Sequence, residues 1–227
     1  HVYTPWWGDN KKLDFPRGYH IEYGGGMGMP SYGFGWGIEG LNGKEKYTRD
    51  GLRKAAGGYG ATLKEDYRRY YGSYVGFAGR GEPVPREDNY CEIDPNVVDK
   101  YGIPVVRFNY KWSDYEIKQA KHMQDTFEQI IQEMGGEALG KKPGADTNYG
   151  LADPGRIIHE VGTARMGNNS STSVVNSNCQ AHDVKNLFLA DSSPFVSQGD
   201  KNATWTILAL SLRTSEYIID QRKKANL

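Results

Sequence analysis

HEVGTARMG, residues 159–167, says more about fold and function than any other stretch of this chain. Its polar start, His159, precedes a Gly-Thr turn, and a second polar residue, Asn202, opens the segment NATWT. Between them the run NLFLAD, residues 186–191, is short, apolar and closed by an acid, which is typical of a buried strand. The three segments predict polar groups where elements meet loops, as in many catalytic sites.

The order of these segments resembles the C-terminal half of the glucose-methanol-choline (GMC) oxidoreductases, flavoenzymes that oxidise alcohols and sugars. The resemblance is strongest over residues 156–220 and extends more weakly over 80–135. The form CQAHDVKNLF, residues 179–188, looks more like bacterial sugar and glycoside dehydrogenases and pyranose oxidases than like choline or cholesterol enzymes. The resemblance implies FAD as cofactor and a sugar or polyol hydroxyl as substrate.

By this resemblance, His159 is the catalytic base and Asn202 the second catalytic residue. Oxidation of an alcohol removes the hydroxyl proton while a hydride leaves the carbon, so a base must lie near the oxygen. A neutral imidazole accepts a proton near neutral pH, whereas a carboxamide would orient the hydroxyl or stabilise a developing alkoxide. The alternatives are a structural histidine at 159 and a helix N-cap at 202, and the second is compatible with catalysis.

The resemblance also implies that the flavin is contacted by Asp191, Ser192, Asn202, Ala203 and Thr204. Asp191 and Ser192 match a position that approaches the ribityl and phosphate portion largely through backbone groups. For the Asp191 side chain, a turn at the end of the strand is an equal alternative. The helix start at Asn202 would direct its positive end at the reduced flavin. Hydride would pass to flavin N5, and the electrons would leave to oxygen, a quinone or a haem protein.

The loop SQGDKN, residues 197–202, departs from the family pattern. It is more charged than the family's usual loop of small residues, and Ala203 stands where proline is common. Proline at a first helical position is optional. Asp200 and Lys201 therefore introduce charges beside the predicted flavin and substrate contacts.

The predicted fold class is α+β. Residues 1–155 are expected to form a substrate-binding domain with an antiparallel sheet and helices, and 156–227 the C-terminal elements of an FAD-binding α/β domain. The Gly-rich strand-turn-helix that holds the nucleotide in this family is not predicted here, because the G-x-G-x-x-G match at 35–40 lacks a preceding apolar strand. An N-terminal FAD-binding part is therefore expected in the same precursor or in a companion chain.

Periodicity predicts the main elements. Strands are indicated between Gly76 and Trp112, where Arg80 and Arg107 are interpreted as solvated or paired sheet residues. A helix is predicted from Ser113, which forms a capping box with Glu116, to the pair Gly135–Gly136.

Two further elements are predicted nearer the end of the chain. Arg156 and its apolar neighbours are interpreted as a strand-like approach to His159, and His122, among polar residues of the first helix, as solvated. A second helix is predicted from Ala203 to about Arg222. Because its apolar residues cover most of its circumference, it should be buried on several sides.

Composition excludes several classes of function. The 227 residues carry no net charge and no dense basic stripe, so nucleic-acid binding is not expected, and no apolar run is long enough for a membrane span. The two cysteines and five histidines show no metal-ligand spacing, so no metal is predicted.

Two other functions stay open at this stage. One is a non-catalytic fragment or partner subunit that lacks its own FAD-binding unit. The other is a carbohydrate-binding module in the aromatic N-terminal region, whose residues suited to stacking on a sugar ring are Trp6, Trp7, Tyr32, Phe34 and Trp36.

Overall fold

The computed structural model describes residues 2–3, 13–25, 61, 64, 68, 75–136, 138, 141–157 and 159–226. The chain forms two compact units, the first of residues 1–5, 19–80 and 117–151, the second of residues 6–18, 81–116 and 152–227. The G-x-G-x-x-G match and the five aromatic residues proposed for sugar stacking lie outside the described residues. Small antiparallel sheets together with helices confirm the α+β class.

The first unit contains a three-stranded sheet in the order β1 (Val2–Tyr3), β2 (Tyr19–Gly25), β3 (Val75–Gly81). Strands β1 and β2 are antiparallel, with Val2 opposite Ile21. The side chains of Tyr19 and Ile21 are fully buried. In β3, Arg80 pairs with Glu22 at 3.0 Å, as expected for a paired sheet residue.

Helix α1 (Asp114–Glu133) confirms the predicted capping box and glycine end. At its start, the Ser113 amide donates to Glu116 Oε2 at 2.7 Å, and the Tyr115 amide donates to Ser113 Oγ at 3.3 Å. At its end, Gly135 takes a φ of +70°, and the Gly136 amide donates to the Ile131 carbonyl at 2.8 Å. The position just beyond a helix end often has a left-handed backbone conformation, and glycine is favoured there because other residues are strained in it.

One face of α1 is buried, at Glu116, Gln119, Ala120 and Met123, a spacing of three and four residues that places them on one side. Within the first unit this face meets β3, where Phe77 stacks on Phe127 at 5.9 Å between ring centroids. The prediction for His122 was wrong. Its Nδ1 lies 2.8 Å from the hydroxyl of the buried Tyr19, so the ring is part of the unit's interior hydrogen bonding.

The second unit contains a hairpin of β4 (Tyr90–Val98) and β5 (Pro104–Asn109), with a register shift between Ile93 and Val98. The turn is closed by Asp99, whose Oδ1 accepts the amide of Ile103 at 3.0 Å, and by Gly102 at a φ of +80°. One hairpin face is polar, and there Arg107 donates to Glu92 at 3.0 Å, as predicted for a paired residue. The other face leaves Ile93, Val106 and Phe108 exposed.

Residues 152–200 form an irregular segment that is held together by single bridges, Met166 to Val175, Val175 to Ala181 and Gln180 to Phe188. The predicted strand at 186–191 was therefore wrong, since only Phe188 is bridged and Leu187 is half exposed. A strand needs a continuous ladder with a neighbour, and the described residues supply a partner at one position. The predicted strand-like approach at 156–157 is likewise a bend.

Helix α2 (Thr204–Lys223) confirms the second predicted helix. Its inner side packs on the irregular segment, where Thr214 donates to the Asn178 carbonyl at 3.1 Å and Tyr217 packs on Phe188. The prediction of burial on several sides was wrong for this chain. An outer stripe is exposed, and its residues are Trp205, Leu208, Leu212 and Ile219. Within the described residues, no helix combines the length and hydropathy of a membrane span.

Candidate active site

The HEVGTARMG segment lies beside residues 192–194, all within the second unit. Three backbone amides hold them together: Gly162 donates to Ser192 at 3.3 Å, Ala164 to Ser193 at 3.0 Å and Met166 to Pro194 at 2.8 Å. The Ser192 hydroxyl adds a hydrogen bond of 3.1 Å to the Glu160 carbonyl. The structure thus brings the predicted base segment next to the predicted flavin contact at 192.

His159 has an exposed side chain and a backbone φ of +88°. A non-glycine residue seldom adopts a positive φ, and such strain is concentrated at functional sites. The imidazole is available to an external molecule, which a merely structural histidine would not require. His159 thus combines an exposed imidazole with a backbone conformation of this strained kind.

Gly162 shapes the turn that follows His159. Its φ is +80°, and a side-chain carbon added there would lie 3.1 Å from the Phe195 carbonyl oxygen. Both the angle and the close approach favour glycine. The Gly-Thr step in the motif therefore has a physical reason, which is to let the base segment run against residues 192–195.

Asp191 has its carboxylate engaged in a local turn. Its Oδ1 accepts the Ser193 amide at 2.8 Å and the Ser193 hydroxyl at 2.5 Å. These hydrogen bonds to Ser193 lower the pKa of Asp191 below its usual range. The turn interpretation therefore accounts for the side chain, so any contact from this position to a cofactor would come from the backbone of Asp191 or from Ser192. The sequence reasoning missed the part that Ser193 plays in this turn.

Asn202 is exposed and lies one residue before the N-cap of α2, which is Ala203. The N-cap alternative for Asn202 was therefore wrong. Ala203 is buried and supplies no side-chain cap, so the first amides of α2 receive no capping hydrogen bond from it. Uncapped amides at a helix start favour an anion or an electron-rich group. Ala203 and the exposed Thr204, two of the residues that the family resemblance assigns to the flavin, lie at this helix start.

A cluster of four charges adjoins Asn202, and we name Arg17, Glu82, Asp200 and Lys201 the charge cluster. Lys201 Nζ pairs with the Asp200 carboxylate, and Arg17 Nη1 pairs with Glu82 at 3.1 Å. Burial raises the pKa of Glu82, Arg17 and Lys201 act against that rise, and the nearby Asp200 adds to it. The sequence identified Asp200 and Lys201, but nothing in its local pattern links them to residues as distant as 17 and 82.

Together the predicted site residues lie in one unit, on the segments 159–167, 191–195 and 197–204, and the first two are joined by backbone hydrogen bonds. His159, Asn202 and Thr204 are exposed, and Ser192 is partly so. Within the described residues, no group of three or more His, Cys, Asp or Glu side chains could hold a metal ion.

A sequence model described as GMC oxidoreductase matches residues 85–211, more than half of the chain. The chain belongs to the GMC oxidoreductase family. The match covers β4, β5, α1, His159 and the start of α2, so the resemblance inferred from HEVGTARMG and NATWT is confirmed.

Relatives of known activity support the same assignment. A 2-methyl-1,2-propanediol dehydrogenase of Mycolicibacterium austroafricanum is 33% identical over 72% of this chain and 30% of its own length. The gluconate 2-dehydrogenase flavoprotein of Pantoea cypripedii is 27% identical over 75% and 28%, and the fructose dehydrogenase large subunit of Gluconobacter japonicus is 28% identical over 82% and 32%. The matches therefore span about a third of each relative.

Proposed function

We propose that this GMC chain is the C-terminal part of a flavin-dependent oxidoreductase that converts a hydroxyl of a sugar or polyol to a carbonyl. The observation that carries the proposal is the exposed, positive-φ His159 on a segment bonded to residues 192–194, in a chain of this family. The three relatives are named for oxidation of a diol, a sugar acid and a ketose, and these names indicate the substrate class.

In the proposed reaction, His159 accepts the proton of the substrate hydroxyl at an imidazole nitrogen. The positive φ of His159 and the close approach of Gly162 to Phe195 define the backbone from which the imidazole projects, and a defined backbone lowers the entropy lost on reaching the reactive geometry. Asn202 donates a hydrogen bond to the same oxygen and stabilises its developing negative charge. Without this hydrogen bond, only water would be left to stabilise the charge on the substrate oxygen.

FAD is the cofactor that the family implies, and the residues present fit a part of it. Ala203 leaves the first amides of α2 without a side-chain cap, and the small residues there allow a close approach. Asn202, Ala203, Thr204, Ser192 and the backbone of Asp191 would hold it. When bound, a flavin supplies the hydride acceptor at its N5 atom. Oxygen, a quinone or a haem protein would then take the electrons.

The proposal includes a further FAD-binding part, in the same precursor or a companion chain, which would dock on α2. The chain spans 28 to 32% of the three relatives, leaving room for such a part. Trp205 is 84% exposed and heads an outer stripe that is apolar along the helix, and a helix apolar on opposite sides is normally buried. The run at 186–191 also has an unfilled strand edge within the described residues. The division into a substrate-binding domain (1–155) and FAD-domain elements (156–227) is also part of the proposal and rests on the resemblance to the family.

Replacement of His159 tests the proposal in the complete flavoprotein. His159→Ala should retain the flavin absorbance near 450 nm, an ordinary property of the cofactor, and lower turnover of sugars or polyols by about 10²- to 10⁴-fold, the usual contribution of a general base. His182→Ala is the matched control, because His182 is partly buried and bonded to Ser173 in the same unit. Equal turnover in both variants would overturn the role of His159.

Two alternatives make different predictions for the same preparations. A non-catalytic fragment or partner subunit would stay colourless, or would bind flavin that is not bleached by any sugar. A carbohydrate-binding module would bind sugar equally before and after the double replacement of His159→Ala and Asn202→Ala, and would turn it over in neither case. The oxidoreductase would turn sugar over before the replacements and lose that turnover after them.

A further inference from the structure

The loop that carries Asn202 is fixed from within by the charge cluster. The Asp200 side chain is 1% exposed and pairs with Lys201, whose side chain is 34% exposed. The Gln198 side chain donates to the Lys201 carbonyl at 2.8 Å, which closes the loop on itself. A carboxylate this deeply buried is stable only when it is paired, so Asp200 restricts the loop to conformations that keep its partner in place.

The charge cluster includes residues from a distant part of the same unit. Glu82 follows β3, its amide donates to the Gly18 carbonyl at 3.2 Å, and its carboxylate pairs with Arg17. Burial raises the pKa of Glu82, the charge of Arg17 lowers it, and the charge of Asp200 raises it further. Asp200 therefore lies near enough to Glu82 for their charges to interact.

The loop is buried at two of its positions and exposed between them. Asp200 and Ala203 are buried, Lys201 is intermediate and Asn202 is exposed. The two buried residues hold the backbone on either side of Lys201 and Asn202, so the position of Asn202 depends on how Asp200 is held.

We propose that Asp200 is a positioning residue, which through its buried ion pair with Lys201 presents the carboxamide of Asn202 to the reacting hydroxyl. This inference rests on the proposed function, because it assigns a task to Asn202 in the same reaction. Asp200 is enclosed and acts on the substrate only through Asn202. A displacement of about 1 Å at a catalytic group lowers rates by up to about a hundredfold, so loss of the pair should be visible in kcat.

The test is a double-mutant cycle in the complete flavin-loaded protein. Asp200→Asn, nearly equal in shape, should lower kcat by about ten- to a hundredfold with KM changed by less than about threefold. In the Asn202→Ala background the same replacement should have almost no further effect. A role that is only structural would lower kcat equally in both backgrounds, and that result, or an unchanged kcat in Asp200→Asn, overturns the inference.

Failure of the proposed function gives a different result. If Asn202→Ala alone leaves kcat unchanged, Asn202 has no catalytic task, and both the proposal for Asn202 and the inference for Asp200 fall together. If Asp200→Asn loses its flavin or its fold, Asp200→Glu carries the same cycle, since it retains the charge but lengthens the side chain. Lys201→Arg preserves the ion pair with Asp200 and should leave kcat close to that of the unmodified protein.

Discussion

Helices α1 and α2 are both 20 residues long, yet they are stabilised in opposite ways. Helix α1 has a side-chain cap at its start, a glycine end and one buried face. Helix α2 has no side-chain cap, an inner side on which Thr214 is buried, and an exposed apolar stripe on the outer side. The ends of α1 are fixed by residues next to it in sequence. The outer apolar stripe of α2, by contrast, is not covered by any of the described residues.

The two helices therefore differ in their proposed roles, since the features of α1 contribute to stability and those of α2 lie at the proposed functional sites. The features that fix α1 are local and make no demand on a ligand or partner. The features that leave α2 incomplete, its uncapped amides and its outer stripe, lie at the proposed cofactor site and at the proposed docking face. If the proposed cofactor binds at the start of α2 and the proposed FAD-binding part covers its outer stripe, this helix would link cofactor binding with assembly.

The largest effect is expected from the outer stripe of α2. Replacing Leu208 and Leu212 together by Gln should abolish stable flavin loading of the complete protein, because each buried leucine contributes about 1.5–3 kcal/mol. The same pair in the isolated 227-residue chain should change the free energy of unfolding by less than about 0.5 kcal/mol each. Flavin content and denaturant unfolding measure the two quantities.

The inner side of α2 provides the control for this experiment. Thr214→Val should destabilise the isolated chain by about 1 kcal/mol, since the Asn178 carbonyl loses its donor. If the outer pair destabilised the isolated chain as much as Thr214→Val does, the stripe would be packed within the chain and the proposed docking face would be wrong.

The start of α1 should respond next. Glu116→Ala removes the acceptor of the Ser113 amide and of the Val84 amide at 2.9 Å, and should lower the free energy of unfolding by about 2–4 kcal/mol. Glu116→Gln keeps an acceptor oxygen and should lose about half as much. Chemical denaturation followed by circular dichroism distinguishes them, and equal losses would mean that the charge, not the acceptor, matters.

The buried hydroxyl that contacts α1 gives a pH-dependent effect. Burial raises the pKa of Tyr19 from 10.0 to about 12, with Asp125 adding to the rise and the Thr126 hydrogen bond opposing it. The phenol therefore ionises first in the unfolded chain, so its contribution to stability is complete below pH 10 and is lost as the pH rises towards 12. Tyr19→Phe should remove this alkaline loss, whereas Tyr23→Phe, at an exposed position, should leave it intact.

The sequence predicted local features of the fold correctly and failed for features that depend on distant segments. The capping box, the glycine end of α1, the presence of strands between Gly76 and Trp112 and the placing of arginines 80 and 107 on them were predicted correctly, because each depends on neighbours in sequence or on a simple alternation. The strand at 186–191, the burial of α2 and the surroundings of His122 were wrong, because each depends on which segment lies alongside. The ladder partner of a strand and the cover of a helix are not encoded in the segment itself.

At the site, the motif residues were proposed from the sequence, whereas the contacts around them were not. His159 and Asn202 were proposed from the resemblance to the family, and Gly162 of the same motif has a close contact that favours glycine. Arg17 pairs with Glu82, and the charge of Asp200 acts on Glu82 although these residues are far apart in sequence. Long-range pairs of this kind leave no local signal in a single sequence.

The smallest effect on stability is expected at Asn202 itself. Because Ala203 is the N-cap of α2, Asn202→Ala should change the free energy of unfolding by less than about 0.5 kcal/mol. A helix N-cap would instead cost about 1 kcal/mol on replacement by alanine. Ser113→Ala at α1 is the matched control, since Ser113 does cap its helix and should show that loss. Comparable losses in the two variants would restore the capping role to Asn202 and weaken the argument that its carboxamide is kept for the substrate.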